Sequence, residues 1–127
     1  MRADRFNQGK PKFSLLPFDA LEALATHFTR GAEKYSARNW ERGMPYSEVV
    51  DSLMRHLSAW WQGETYDKEG FRHTTAIAWN AIALLTYDLR GMSKWDDRPP
   101  KIEPAYGPSV NLREKIEEAR RSINEQR

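Results

Sequence analysis

Apolar positions along the chain fall into three runs of helical period, broken by glycine and proline, with no stretch of the two-residue alternation that marks a half-buried strand. The first run begins after Pro17, where Phe18, Leu21, Ala25, Phe28, Ala32 and Tyr35 recur in steps of three and four and predict an amphipathic helix weakened at Gly31. The segment ARNWERGMP carries Gly43 and Pro45 and reads as a loop. Tyr46, Val50, Leu53, Leu57 and Trp60 then mark a second helix. Gly63 and Gly70 bracket a polar link, and HTTAIAWNAIALLTYDLR follows, apolar on almost every side, as expected of the most buried helix in a bundle.

The flanks differ from this core. Residues 1–16 scatter Arg2, Arg5, Lys10 and Lys12 among Asn, Gln, Gly and Pro without a period, so they are expected to form a basic arm. From Gly91 to Val110 the chain holds Pro99, Pro100, Pro104 and Pro108 and reads as an extended strap over the bundle. Asn111 and Glu114 stand in capping-box spacing ahead of a last helix, residues 111–126, whose Leu112, Ile116, Ala119 and Ile123 form a narrow apolar seam that needs a partner surface. One all-α domain follows, 1–127, with a three-helix core over 17–90 and an expected oligomeric assembly.

Composition narrows the function classes. A chain of 127 residues supplies one domain. With 39% hydrophobic and 30% charged residues it is globular. Cysteine is absent, which removes disulfide frameworks, thiolate metal sites and thiol catalysis, and favours a reducing, intracellular home. The N-terminus lacks the apolar region of a signal peptide, and the run from Ala76 to Leu85 is too short to span a bilayer, so a cytoplasmic, membrane-free protein is expected. The 20 basic and 18 acidic residues nearly balance at +2, which gives no footprint for a stable nucleic-acid complex. No Ser-His-Asp order and no glycine-rich phosphate loop is present.

The sharpest chemical constellation lies on the second helix. Glu48, Asp51 and Arg55, three and four residues apart, share a face near its N-terminus. Two carboxylates one turn apart suit a hard cation, and a short connection between antiparallel helices is expected to bring Glu33 beside them. Oxygen-only ligands favour Mg²⁺ or Mn²⁺, ions that keep waters and accept substrate phosphate oxygens. Between these acids run Lys34, Tyr35, Arg38, Asn39 and Trp40, a mixture of cations for phosphate, an amide for a base edge and aromatic faces for stacking. Asn80, an amide on the most buried helix, must find partners, and a purine edge is one option besides a backbone carbonyl or His56. A second acidic group, Glu64, Asp67 and Glu69 with His73, is an alternative divalent site or a solvated turn capping the third helix. The rise of ~1.5 Å per residue puts Glu64 roughly 24 Å from Glu48, so the two groups do not share a site within one protomer.

Together the blocks GKPKFSLLP, RGAEKYSARNW, RHLSAWWQGETYD and GFRHTTAIAWNAIALL, covering about residues 9–85, resemble the phage MazG-like dATP/dGTP diphosphohydrolases, and among them the MazZ-like proteins encoded beside enzymes of 2-aminoadenine DNA synthesis. MazG enzymes carry Glu-x-x-Glu on one helix and Glu-x-x-Asp on the next. SEVVDSLMRHL is similar to the second motif through Glu48 and Asp51, and Glu33 matches the first acid of the first motif, with Ser at position 36. The resemblance implies a MazG-like helical bundle, a divalent cation, and cleavage of dGTP or dATP to monophosphate and pyrophosphate. It also implies a homodimer or homotetramer in which neighbours complete the sites, and host cytoplasm for a phage protein. On this reading Glu33, Glu48 and Asp51 are the catalytic and metal residues. Lys34, Arg38 and Arg55 bind phosphate, with Lys10 or Lys12 from the arm as additions, and Asn39, Trp40 and Asn80 serve the base. The alternatives are a non-catalytic nucleotide or nucleic-acid binding module, and an interaction protein docking through its C-terminal seam.

Overall fold

The computed structural model describes residues 1–102 and 111–126. Helix α1 (Phe18–Lys34) starts behind Pro17, with Asp19 in its first turn, where a negative charge suits the unpaired amides. It ends where the Tyr35 N–H bonds the Gly31 carbonyl. A 3₁₀ turn over Asn39–Arg42 then leads into α2 (Tyr46–Trp61). Gly63 at φ 101° turns the chain into a link whose Tyr66 and Arg72 form an isolated antiparallel bridge, and α3 (His73–Leu89) follows. Helix α4 (Leu112–Glu125) is capped by the Asn111 side chain, which accepts from the Arg113 and Glu114 amides. Among the described residues there is no strand, and the fold is all-α.

Helix α3 packs against both α1 and α2. Its buried positions, His73, Ala76, Asn80, Ala83 and Tyr87, step by three and four along one stripe. The expectation that α3 is the most buried helix holds for that stripe, whereas Leu85 and Leu89 on its other side are 51% and 76% exposed. The small core joins Val49 of α2 to Ala83 and Tyr87, with Trp40, Met44, Tyr46, Trp79, Leu84 and Met92 around it. Tyr87 stacks on Tyr46 at 5.9 Å and donates to the Trp40 carbonyl at 2.6 Å, which fixes the 3₁₀ turn against the bundle.

The segment after α3 ties down the start of α2. Met92 accepts from the Tyr46 hydroxyl at 3.2 Å, the Trp95 ring fills the space where a side chain on Gly43 would sit, and Asp97 accepts from both the amide and the hydroxyl of Ser47. This caps α2 from outside, satisfying an amide that Pro45 and Tyr46 leave without a side-chain partner. Residues 103–110 of the expected strap lie outside the described residues. The seam of α4 is open in the single chain, with Leu112, Ile116 and Ile123 all exposed. No described helix is long and apolar enough to cross a membrane.

Candidate active site

Helices α1 and α2 diverge over α3 and leave a cavity of about 620 Å³ between them. That lies within the ~300–1,000 Å³ typical of small-ligand sites. Its walls are aromatic. Phe28 of α1 lies 5.4 Å from the Trp40 ring and 6.1 Å from that of Trp79, Trp40 and Trp79 meet edge-on at 6.1 Å, and His27 sits 5.8 Å from Trp79. Contiguous, partly exposed ring surface of this kind suits a flat heteroaromatic ligand.

The polar groups of the cavity are few and placed. On the floor Asn80, 2% exposed, donates through Nδ2 to the Ala76 carbonyl at 2.9 Å and toward the Ser52 hydroxyl at 3.2 Å. The Ala76 carbonyl only accepts, so it fixes the amide with its nitrogen inward. Asn80 Oδ1 is left buried and without a hydrogen-bond partner. Such an acceptor normally costs about 1–3 kcal/mol unless something donates to it. At one end of the cavity stand Lys34, at the close of α1, and Arg38. Arg38 is held at φ 60°, a left-handed conformation uncommon for a residue with a side chain, and pairs with Glu41 at 2.8 Å. Glu41 also binds Arg90 at 3.2 Å, so this end carries two cations around one half-buried carboxylate, besides Lys34, whose ammonium lies 5.3 Å from the Tyr35 ring.

The other end is acidic. Asp67 and Glu69 of the α2–α3 link face the cavity with His27, His56 and Phe71. Asp67 Oδ1 accepts from the Glu69 and Phe71 amides, both at 2.9 Å. Burial pushes this carboxyl up, but those two amides and the nearby His56 and His73 outweigh it and hold it below its usual value. Arg30 lies over the Phe71 ring and 3.7 Å from Glu69, so its charge is engaged locally. His56 does not pair with Asn80; its Nδ1 meets Nδ1 of buried His73 at 2.8 Å, and His73 Nε2 faces the Glu64 carboxylate at 3.4 Å.

Of the residues singled out from the sequence, Lys34, Arg38, Asn39, Trp40 and Asn80 are brought together around the cavity, and Asp67 of the alternative group joins them from the far end. Glu33, Glu48, Asp51 and Arg55 are exposed and lie outside its lining, as do Lys10 and Lys12 in the exposed arm. Among the described residues no three His, Asp or Glu side chains converge as a metal group. The convergence of Glu33 on the second-helix pair is therefore not formed within this single chain. Helical spacing still puts Glu48 one turn before Ser52 on the cavity side of α2, while Asp51 points further round. His27, Arg30, Ser52, Phe71 and Trp79 went unread in the sequence as site residues. The available signal was that His27, Arg30 and Lys34 share one face of α1, as Ser52 and His56 share one of α2.

A family model described as dATP/dGTP diphosphohydrolase, N-terminal, matches residues 2–98, a span that contains the whole cavity. A dATP/dGTP diphosphohydrolase of Salmonella phage PMBT28 is 28% identical over 98 residues, which is 77% of this chain and 33% of that protein. The chain thus spans about a third of the length of that curated relative. No solved structure matches it. By the extent of the model match, the chain belongs to the dATP/dGTP diphosphohydrolase family, in the region that the family describes as N-terminal.

Proposed function

We propose that the cavity between α1 and α2 binds a purine deoxynucleoside triphosphate, dGTP or dATP, and that the protein hydrolyses it to the monophosphate and pyrophosphate. The observation that carries this reading is the polarity of the cavity: aromatic walls and an unpartnered Asn80 acceptor for the base, with Lys34 and Arg38 at one end for the phosphates. The family match and the name of the phage relative support the same chemistry.

The chain's own residues divide the work. Trp40, Phe28 and Trp79 stack on the base and exclude water from its faces. Lys34 and Arg38 place the triphosphate so that its α-phosphorus faces the start of α2. Arg38 is released from Glu41 to do so, which the second partner of Glu41, Arg90, makes less costly. Glu48 and Asp51 are the proposed holders of Mg²⁺ or Mn²⁺. Two carboxylates would suffice to hold such an ion, since Mg²⁺ commonly takes one or two of them from a protein. When bound there, such a cation would supply charge neutralisation for the phosphates and a more acidic water. Glu33, Arg55 and the arm residues Lys10 and Lys12 are proposed to act at the rim.

The assembly is proposed to be a homodimer or homotetramer. Val50, Met54, Leu57 and Trp61 recur at helical spacing on the face of α2 opposite Glu48, with Asp51 at its edge, and are 43%, 53%, 36% and 80% exposed. A continuous apolar stripe of that size on one helix fits a second copy of the same helix. In a phage the monophosphate product would feed 2-aminoadenine nucleotide synthesis.

A panel of the four deoxynucleoside triphosphates with Mg²⁺ or Mn²⁺ and product analysis tests the reading. Pyrophosphate and a purine monophosphate are expected, with dCTP and dTTP turned over far more slowly. Binding of dGTP without turnover under either metal would instead establish a non-catalytic nucleotide-binding module.

A further inference from the structure

All three histidines of the chain gather at the acidic end of the cavity, and two of them form a chain of contacts that reaches a carboxylate. His73 is 6% exposed, and its Nε2 is buried without a hydrogen bond of good geometry while Glu64 Oε2 lies 3.4 Å away. A nitrogen lone pair aimed at a carboxylate is repelled, so Nε2 of His73 carries its hydrogen. On a ring with a single hydrogen, the His73 Nδ1 is then a bare acceptor. The 2.8 Å contact between the two Nδ1 atoms requires one donor, which is therefore Nδ1–H of His56. The remaining nitrogen of His56, Nε2, is left unprotonated on a ring that lines the cavity.

We infer that Glu64 and His73 are positioning residues that lock His56 in this tautomer, and that its Nε2 accepts a hydrogen bond from an N–H on the edge of the purine base. The inference rests on the proposed nucleotide site and deepens it by assigning the base to the acidic end. On α1 the seven residues from His27 to Lys34 span roughly 10 Å, about the distance from a purine to the phosphates of its own nucleotide. Lys34 and Arg38 attract the phosphates to their end, and Asp67, beside a Glu69 already paired with Arg30, repels them from the other. With Arg30 engaged by Glu69 and the Phe71 ring, the acceptors left for the base there are His56 Nε2 and, further along the same floor, Asn80 Oδ1. Guanine offers N1–H and its 2-amino group, and adenine its 6-amino group. A purine ring without these groups offers no donor.

The test uses the full-length protein and three monophosphates, dGMP, dAMP and purine 2′-deoxyriboside monophosphate, so that binding is read without turnover. Wild type is expected to bind dGMP and dAMP about tenfold more tightly than the unsubstituted purine, as expected for one or two hydrogen bonds to a partly buried acceptor. His56→Phe should erase most of that preference while leaving affinity for the unsubstituted purine within about twofold. His56→Asn serves as the second variant should the larger ring disturb packing. ¹⁵N NMR of the imidazoles should show His56 protonated at Nδ1 and bare at Nε2, and Glu64→Gln should weaken that bias. Equal binding of all three nucleotides, or a His56 protonated at Nε2, overturns the inference while leaving the nucleotide site standing. Absence of binding by any of them overturns both.

Discussion

The two ends of α2 carry acidic groups in opposite circumstances. At its N-terminal end Glu48 and Asp51 are exposed, while the backbone beneath them is pinned by Asp97 and the Tyr46–Tyr87 stack. Beyond its C-terminal end Asp67 is committed to two backbone amides and Glu64 faces a buried histidine. A carboxylate already satisfied by the fold has a structural task, and its removal should show first in stability. One that the fold leaves open on a rigid element is available to a ligand, and its removal should show first in turnover.

The strongest way to break this contrast is to neutralise the open pair. Glu48→Gln and Asp51→Asn should each lower pyrophosphate release on the order of 100-fold or more, as for loss of several kcal/mol of charge stabilisation, with helical content and Tm unchanged. Wild-type turnover in either variant would move the cation site elsewhere. Asp67→Ala should do the reverse, lowering the unfolding free energy by about 1–2 kcal/mol through the two lost amide bonds, with turnover reduced by less than tenfold. Urea titration read against activity separates the two variants, and a stable but inactive Asp67→Ala would make the link, not α2, the catalytic element.

A smaller effect follows from the histidines at the committed end. Burial, with Arg30 and His56 beside it, holds His27 below its ordinary 6.5, and burial with His73 beside it does the same for His56. Below that pH the unfolded chain binds more protons than the folded one, so stability falls as the pH drops from 6.5 toward the folded values. Asp67 works in a separate window: its folded value lies below 3.8, so its contribution is lost only in stronger acid. Thermal melts from pH 7.5 to 5 should show the histidine decline, and it should shrink in His56→Phe. The smallest effect concerns α4. Deleting residues 111–127 should leave the Tm of the core within a few degrees and lower the mass of the assembly in solution, because the helix buries none of its residues within its own chain. Unchanged assembly after deletion would make the α2 stripe the sole contact between copies.

The helices were legible in the sequence because each is a local pattern. Periodicity, Pro17, Pro45, Gly63 and the Asn111 cap mark their limits within a residue or two. Lys34, Arg38, Asn39, Trp40 and Asn80 were legible as candidates because each is chemically conspicuous for its place. The cavity itself was not, since it arises from the splay of α1 and α2 over α3, and no local pattern encodes that angle. His27 and Trp79 read as ordinary members of helix faces until the fold sets them against each other. The His56–His73 pair is likewise a contact across 17 residues of sequence, set by how α3 packs on α2. The expected meeting of Glu33 with Glu48 and Asp51 came from treating α1 and α2 as neighbours, whereas each packs principally on α3.

The proposed reaction is attack of water on the α-phosphorus of a purine deoxynucleoside triphosphate seated in this cavity, with pyrophosphate leaving. Turnover of dGTP with Mn²⁺ in ¹⁸O-enriched water tests it most directly. The label should appear in dGMP and not in pyrophosphate. Label in pyrophosphate would place the attack on the β-phosphorus, and free phosphate released through a diphosphate intermediate would contradict the account altogether.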